Sequence, residues 1–143
     1  MATAESCTGG LVAAACTEVP GSSQWFDGGL VTYATAWKER LLQVPAETIR
    51  LHGVVSPQVV EAMLLGLERL HGVQAAVAVS GIAGPGGALP GKPVGTVALG
   101  AAAGPLRKTL LLHFPGDRTA VRLAAARQCL RLLLSLLETS PAP

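Results

Sequence analysis

Between residues 57 and 71, Val60, Met63, Leu64, Leu67 and Leu70 recur three or four positions apart, the spacing of one helical face. Ser56 stands where an N-cap is needed, Pro57 suits the first helical position, and Gly72 suits the stop. The next stretch, "VQAAVAVSG", is short and almost wholly apolar, as expected of a strand covered on both faces. Upstream, "GGLVTYA" alternates, with Val31 and Tyr33 on one side and Leu30 and Thr32 on the other, which predicts a strand. Short helices are predicted from Gly10 to about Cys16 and over "TAWKERLLQV", and Pro45 opens a turn or helical piece that ends at Gly53. "VGTVALGAAAG" and "LRKTLLLHF", separated by Gly104-Pro105, predict an antiparallel hairpin. "GDRTAVRLAAARQCLRLLLSLLE" predicts a long helix capped by Asp117. Its wide apolar face suits the underside of the sheet and a subunit contact equally. The tail "TSPAP" is expected to fray.

Helices and strands alternate early and the sheet closes in a hairpin. The expected fold is therefore a three-layer α/β/α sandwich with a mixed sheet that includes a C-terminal antiparallel hairpin. The 143 residues suit a single domain spanning 1–143. Half the residues are hydrophobic and only 14% are charged, which sets disorder aside. Aromatics are 3%, so Ala, Val and Leu must build the core. A net charge of +2 gives no reason to expect nucleic acid or a membrane as partner. Charges interrupt every apolar run before membrane-spanning length, and no secretory leader is visible. Cys7, Cys16 and Cys129 are odd in number and follow no metal-ligand spacing, so reduced thiols in a cytoplasmic protein are expected. His52, His71 and His113 form no metal-like pair, and no metal or cofactor is expected.

Three glycine-rich loops follow or flank these elements: "SCTGG", "FDGG" and "SGIAGPGG". In an open α/β sheet, ligands gather beyond the carboxyl ends of the strands, and N–H groups at a helix start favour anions. Thr8, Gly9 and Gly10 offer such donors, as do Gly84 to Gly87, although tight turns alone would also require these glycines. The loops match neither the Walker nor the dinucleotide pattern. Ser6 stands at a bend from strand to helix, where a hydroxyl can project into a cleft beside helix N–H groups. By spacing alone its commoner role is an N-cap, and Ser22 and Ser23 carry the same ambiguity. Lys38 is a scarce charge at a strand end. Partly buried, it would have a lowered pKa and could serve a serine as base. Tyr33 could donate or relay a proton. Glu5, Asp27 and Asp117 could orient or cap instead.

Read in order, "TAESCTGG", "GSSQWFDGGLVTYA", "KERLLQV", "HGVVS", "SGIAGPGG", "KPVGTV" and "FPGDR" resemble the C-terminal domain of the competence/damage-inducible CinA family. The resemblance runs from Thr3 to the last helix. It implies an amidohydrolase that converts nicotinamide mononucleotide to nicotinate mononucleotide and ammonia, recycling pyridine nucleotide toward NAD. It further implies an α/β sandwich without metal, acting on a small nucleotide, and a homo-oligomer, in the first place a dimer. Catalytic positions carried over are Ser6, Ser23, Tyr33 and Lys38. One serine attacks the carboxamide with help from Lys38, and Tyr33 or the second serine passes a proton to the departing ammonia. Ser6 is favoured as nucleophile for its bend, with Ser23 as the shuttle, though the two roles can be exchanged. Thr8, Gly9, Gly10, Ser80, Gly81, Ala83 and Gly84 are expected to bind the nucleotide, with Arg118 on its phosphate.

The sequence departs from the family pattern at its start. A helix and a strand usually precede the first motif, and here only "MA" does. The strand leading into Ser6 is therefore expected to be largely absent, leaving an exposed sheet edge. A catalytically inactive or truncated nucleotide-binding domain of the same family is the alternative expectation.

Overall fold

The structure is a computed structural model in which residues 1–139 are described. Five strands form one sheet: β1 (Ala2–Glu5), β2 (Gly28–Val31), β3 (Ala75–Gly81), β4 (Thr96–Ala103) and β5 (Leu106–His113). Their order is β2-β1-β3-β4-β5, with β2, β1 and β3 parallel and β3, β4 and β5 successively antiparallel. The helices are α1 (Leu11–Thr17), α2 (Thr35–Leu42), α3 (Ala46–His52), α4 (Pro57–His71) and α5 (Arg118–Thr139). A single 3-10 turn, Ser22–Gln24, connects α1 to β2. This is the expected three-layer sandwich with a C-terminal hairpin. The end of the tail, residues 140–143, lies outside the described residues.

Strand alternation divides the core in two. Ala2, Ala4, Ala76, Ala78, Ala98 and Ala102 face one way, against Val59, Val60, Met63, Leu64 and Leu67 of α4. Val77, Val79, Val97, Leu99 and Ala101 face the other way, against Val121, Ala125, Ala126 and Cys129 of α5. The alanine-rich face lets α4 lie close to the sheet. At Gly100 an added Cβ would come within 2.9 Å of Val60 and 3.1 Å of Leu64. Both long helices begin as their sequences predict. Ser56 Oγ accepts from the Val59 N–H at 3.3 Å, and Asp117 Oδ1 accepts from the Ala120 N–H at 2.9 Å.

The expectation about the first strand is corrected. Ala2–Glu5 form β1 themselves, buried throughout and paired with β2 on one side and β3 on the other. A strand hydrogen-bonded along both edges needs few residues, and these small side chains fit between two helical layers. The sheet edge on this side is β2, not a gap left by β1.

Candidate active site

β1 delivers Ser6 to the carboxyl end of the parallel strands, beside the carboxyl ends of β2 and β3. The Ser6 N–H donates to Val79 O at 3.1 Å, and Ser6 O accepts from the Gly9 N–H at 3.0 Å, so the chain turns sharply here. Ser6 does not cap α1. That task falls to Glu5, one residue earlier and 1% exposed. Its carboxylate accepts from Thr8 Oγ1 at 2.7 Å and from the N–H groups of Gly10, Val12 and Ala13 at 3.2, 2.9 and 3.0 Å. Thr3 Oγ1 adds a longer contact at 3.4 Å. A buried anion at a helix start is held both by donors and by the helix dipole.

Lys38 comes from the first turns of α2 and is 1% exposed. Its Nζ donates to Ser6 Oγ at 3.0 Å, to Thr32 O at 2.6 Å and to Tyr33 O at 3.3 Å. Burial, which disfavours the charged amine, brings its pKa down from 10.5 to about 8. Cys7 neighbours Ser6, but burial pushes its thiol up to about 11, so it stays protonated at neutral pH and is a poor nucleophile.

Ser6, Cys7, Tyr33, Thr35, Lys38, Val54, Val55, Ser80, Gly81, Ala83 and Arg118 enclose a cavity of about 190 Å³. Larger grooves lie between α1 and α5 and along α3 and α4, but neither holds the serine–lysine pair. At the cavity rim Arg118 donates to Gly84 O at 2.6 Å and to the Tyr33 hydroxyl at 3.1 Å. Ser80 Oγ donates to Val54 O at 2.9 Å, fixing one wall. Lys92 Nζ donates to Val55 O at 2.6 Å and His52 O at 3.0 Å, bracing the same wall from behind. Arg122 of α5 donates to Cys7 O and Thr8 O at 3.0 and 3.1 Å, holding the bend after Ser6.

The structure thus brings together Ser6, Tyr33, Lys38, Ser80, Gly81, Ala83 and Arg118, with Gly84 at the rim. It does not bring Ser23 to them. The Asp27 N–H bonds Met1 O at the start of β1, whereas the Thr32 N–H bonds Glu5 O at its end. Ser23, exposed and ahead of Asp27, therefore lies at the opposite end of the sheet from Ser6 within one chain. Gly10 departs from expectation, because Glu5 already takes its N–H, and Glu5 also takes the Thr8 hydroxyl. Gly9 gives its N–H to Ser6 O. Sequence reasoning left Glu5 as one of three carboxylates that could cap, and passed over Arg122 and Lys92. The available signal for Glu5 was one carboxylate closing a small apolar strand just before a helix. Among the described residues, no group of three His, Cys, Asp or Glu side chains could hold a metal ion. No helix among the described residues is long and apolar enough to cross a membrane.

The fold and site define a three-layer α/β protein with a buried serine–lysine pair at the carboxyl end of its parallel strands. The profile of the CinA C-terminal domain matches residues 1–137, and the chain belongs to that family. It is 54% identical to a nicotinamide-nucleotide amidohydrolase PncC of Enterobacter agglomerans, over 86% of this chain and 76% of that one. It is 51% identical to the protein of the same name from Pseudomonas putida, over 94% and 84% of the two chains. Among solved structures, competence damage-inducible protein A from Klebsiella pneumoniae superposes with a TM-score of 0.93. It is 38% identical, and the match covers 98% of this chain and 87% of that one. The competence/damage inducible protein of Agrobacterium tumefaciens gives a TM-score of 0.92 at 43% identity, covering 95% and 84% of the two chains.

Proposed function

We propose that this chain hydrolyses the carboxamide of nicotinamide mononucleotide to nicotinate mononucleotide and ammonia, with Ser6 as nucleophile and Lys38 as its base. The observation that carries the reading is the 3.0 Å contact between Lys38 Nζ and Ser6 Oγ at a buried, pKa-lowered amine. The names of the relatives at 54% and 51% identity supply the substrate.

The partners of Lys38 suit the task. Thr32 O and Tyr33 O can only accept, so they hold two N–H bonds in either protonation state. When the amine loses its third proton, the lone pair faces the remaining partner, Ser6 Oγ. Ser6 Oγ then attacks the carboxamide carbon as its proton passes to Lys38. The C–N bond breaks as Lys38 returns that proton to the leaving nitrogen, releasing ammonia and an ester on Ser6. Water attacks the ester, giving up a proton to Lys38, and the acid departs with Ser6 restored. Gly9 and Gly10 already use their N–H groups, which leaves those of Cys7 and Thr8, directly after the nucleophile, for the tetrahedral oxyanion. Arg118 at the rim offers a guanidinium to the phosphate, with the Tyr33 hydroxyl beside it.

The test is ammonia release from nicotinamide mononucleotide by the purified chain, beside Lys38→Ala. Release that vanishes in the variant supports the reading. A folded chain that binds the nucleotide without releasing ammonia would instead be the inactive binding domain of the alternative expectation.

A further inference from the structure

Arg118 and Arg122 lie about one turn apart on α5 and so share a face. Arg118 reaches the cavity rim, and Arg122 reaches the bend that carries Ser6. Its neighbours Val121 and Ala125 are fully buried against the sheet, which fixes the helix beneath the guanidinium. Arg122 Nε donates to Cys7 O at 3.0 Å and Nη2 donates to Thr8 O at 3.1 Å. Among the described residues Arg122 forms no ion pair, so its charge is directed at two carbonyls rather than at a carboxylate. The bend is shaped to admit it. Gly9 has a φ of 58°, and a Cβ there would stand 3.3 Å from Arg122 Nη2.

In a trans peptide the N–H points opposite to the C=O, so a held oxygen also aims the hydrogen behind it. The peptide bonds from Ser6 to Gly10 are all trans. Ser6 O accepts from the Gly9 N–H at 3.0 Å, which aims the Cys7 N–H. Thr8 O has two holders, Arg122 and the Leu11 N–H at 3.1 Å. Cys7 O has Arg122 alone among the described residues, so the direction of the Thr8 N–H depends on this one side chain. The charge of Arg122 also draws the neighbouring Cys7 thiol toward its anionic form, a pull that burial outweighs, so its field reaches the atoms beside Ser6. We propose that Arg122 is a positioning residue for the tetrahedral intermediate. It holds the Cys7–Thr8 peptide so that the Thr8 N–H faces the oxyanion, and its charge polarises that peptide toward donation. The proposal rests on the amidohydrolase reading for the identity of the intermediate. The oxyanion exists only after Ser6 has attacked, so the effect falls on kcat and not on substrate binding.

Kinetics and labelling of the full chain test this. Arg122→Gln, neutral and without the fork, is expected to lower kcat for ammonia release about 10- to 100-fold, with KM for nicotinamide mononucleotide within about twofold of wild type. Arg122→Lys keeps the charge and is expected to lose less, and Arg127→Gln, at an exposed position on the same helix, to keep the wild-type kcat. A kcat in Arg122→Gln within about twofold of wild type, or a fall matched by an equal rise in KM, overturns the proposal. If Arg122→Gln does not fold, the kcat and KM of Arg122→Lys decide by the same criterion. A fluorophosphonate then probes Ser6 without the nucleotide. The Oγ–P bond forms as the P–F bond breaks, fluoride leaves and the proton passes to Lys38. Its P=O oxygen takes the place of the oxyanion, so labelling of Arg122→Gln is expected to slow by a similar factor. Equal labelling rates in wild type and variant overturn the role of Arg122. A wild type that labels at Ser6 yet releases no ammonia refutes the amidohydrolase reading alone, and one that does neither overturns both.

Discussion

The protonation of Lys38 gives the most quantitative prediction. With a pKa near 8, the amine is neutral in about one tenth of molecules at pH 7 and about nine tenths at pH 9. A lysine left at 10.5 would be neutral in only about three molecules in ten thousand at pH 7. If neutral Lys38 accepts the Ser6 proton, kcat/KM for ammonia release rises about tenfold between pH 7 and pH 9 and levels off above. Below pH 7 it falls about tenfold per pH unit. Lys38→Arg, which cannot lose its proton near neutrality, is expected to lose both the activity and the titration. The assay is coupled ammonia detection over pH 6 to 10, with circular dichroism at each pH to confirm the fold. The reasoning is refuted by a flat profile, by a limb centred near 10.5, or by an Arg variant that keeps the wild-type profile.

Three further outcomes follow from the same geometry. Glu5→Ala strands the Thr8 hydroxyl and the N–H groups of Gly10, Val12 and Ala13, and should cost roughly 3 kcal/mol or more in urea unfolding. A loss under about 1 kcal/mol would mean that water replaces the carboxylate. Arg118→Lys removes the planar fork at the cavity rim and should raise KM for the mononucleotide roughly tenfold. The dephosphorylated nucleoside should be little affected, and an equal effect on both would place the phosphate elsewhere. Gly66→Ala places a Cβ 2.3 Å from Leu42 O and should lower stability by about 1–3 kcal/mol through the α2–α4 contact, and an unchanged unfolding midpoint would contradict that packing.

Features written in local patterns were legible before the structure. The caps Ser56 and Asp117, the apolar β3 and the β4–β5 hairpin all appear where periodicity and turn residues place them. The Ser6–Lys38 contact spans 32 residues, and no local spacing encodes it. The family motifs singled out both residues, and the parallel pairing of β1 with β2 explains why they meet. β1 was misjudged because its strength lies in partners far along the chain, not in its own four residues. Gly10 was read as a free donor because a buried carboxylate one turn away is indistinguishable, in sequence, from a solvated one. Ser23 shows the converse limit: a motif match does not say which end of a strand a residue occupies.

The central claim is that Ser6 is the nucleophile, and it is most directly tested by acid-quenching the enzyme during turnover and mapping its peptides by mass spectrometry. The account predicts an adduct equal to the substrate less ammonia on the peptide containing Ser6, and loss of both adduct and turnover in Ser6→Ala. An adduct on another residue, or undiminished turnover in Ser6→Ala, would contradict it.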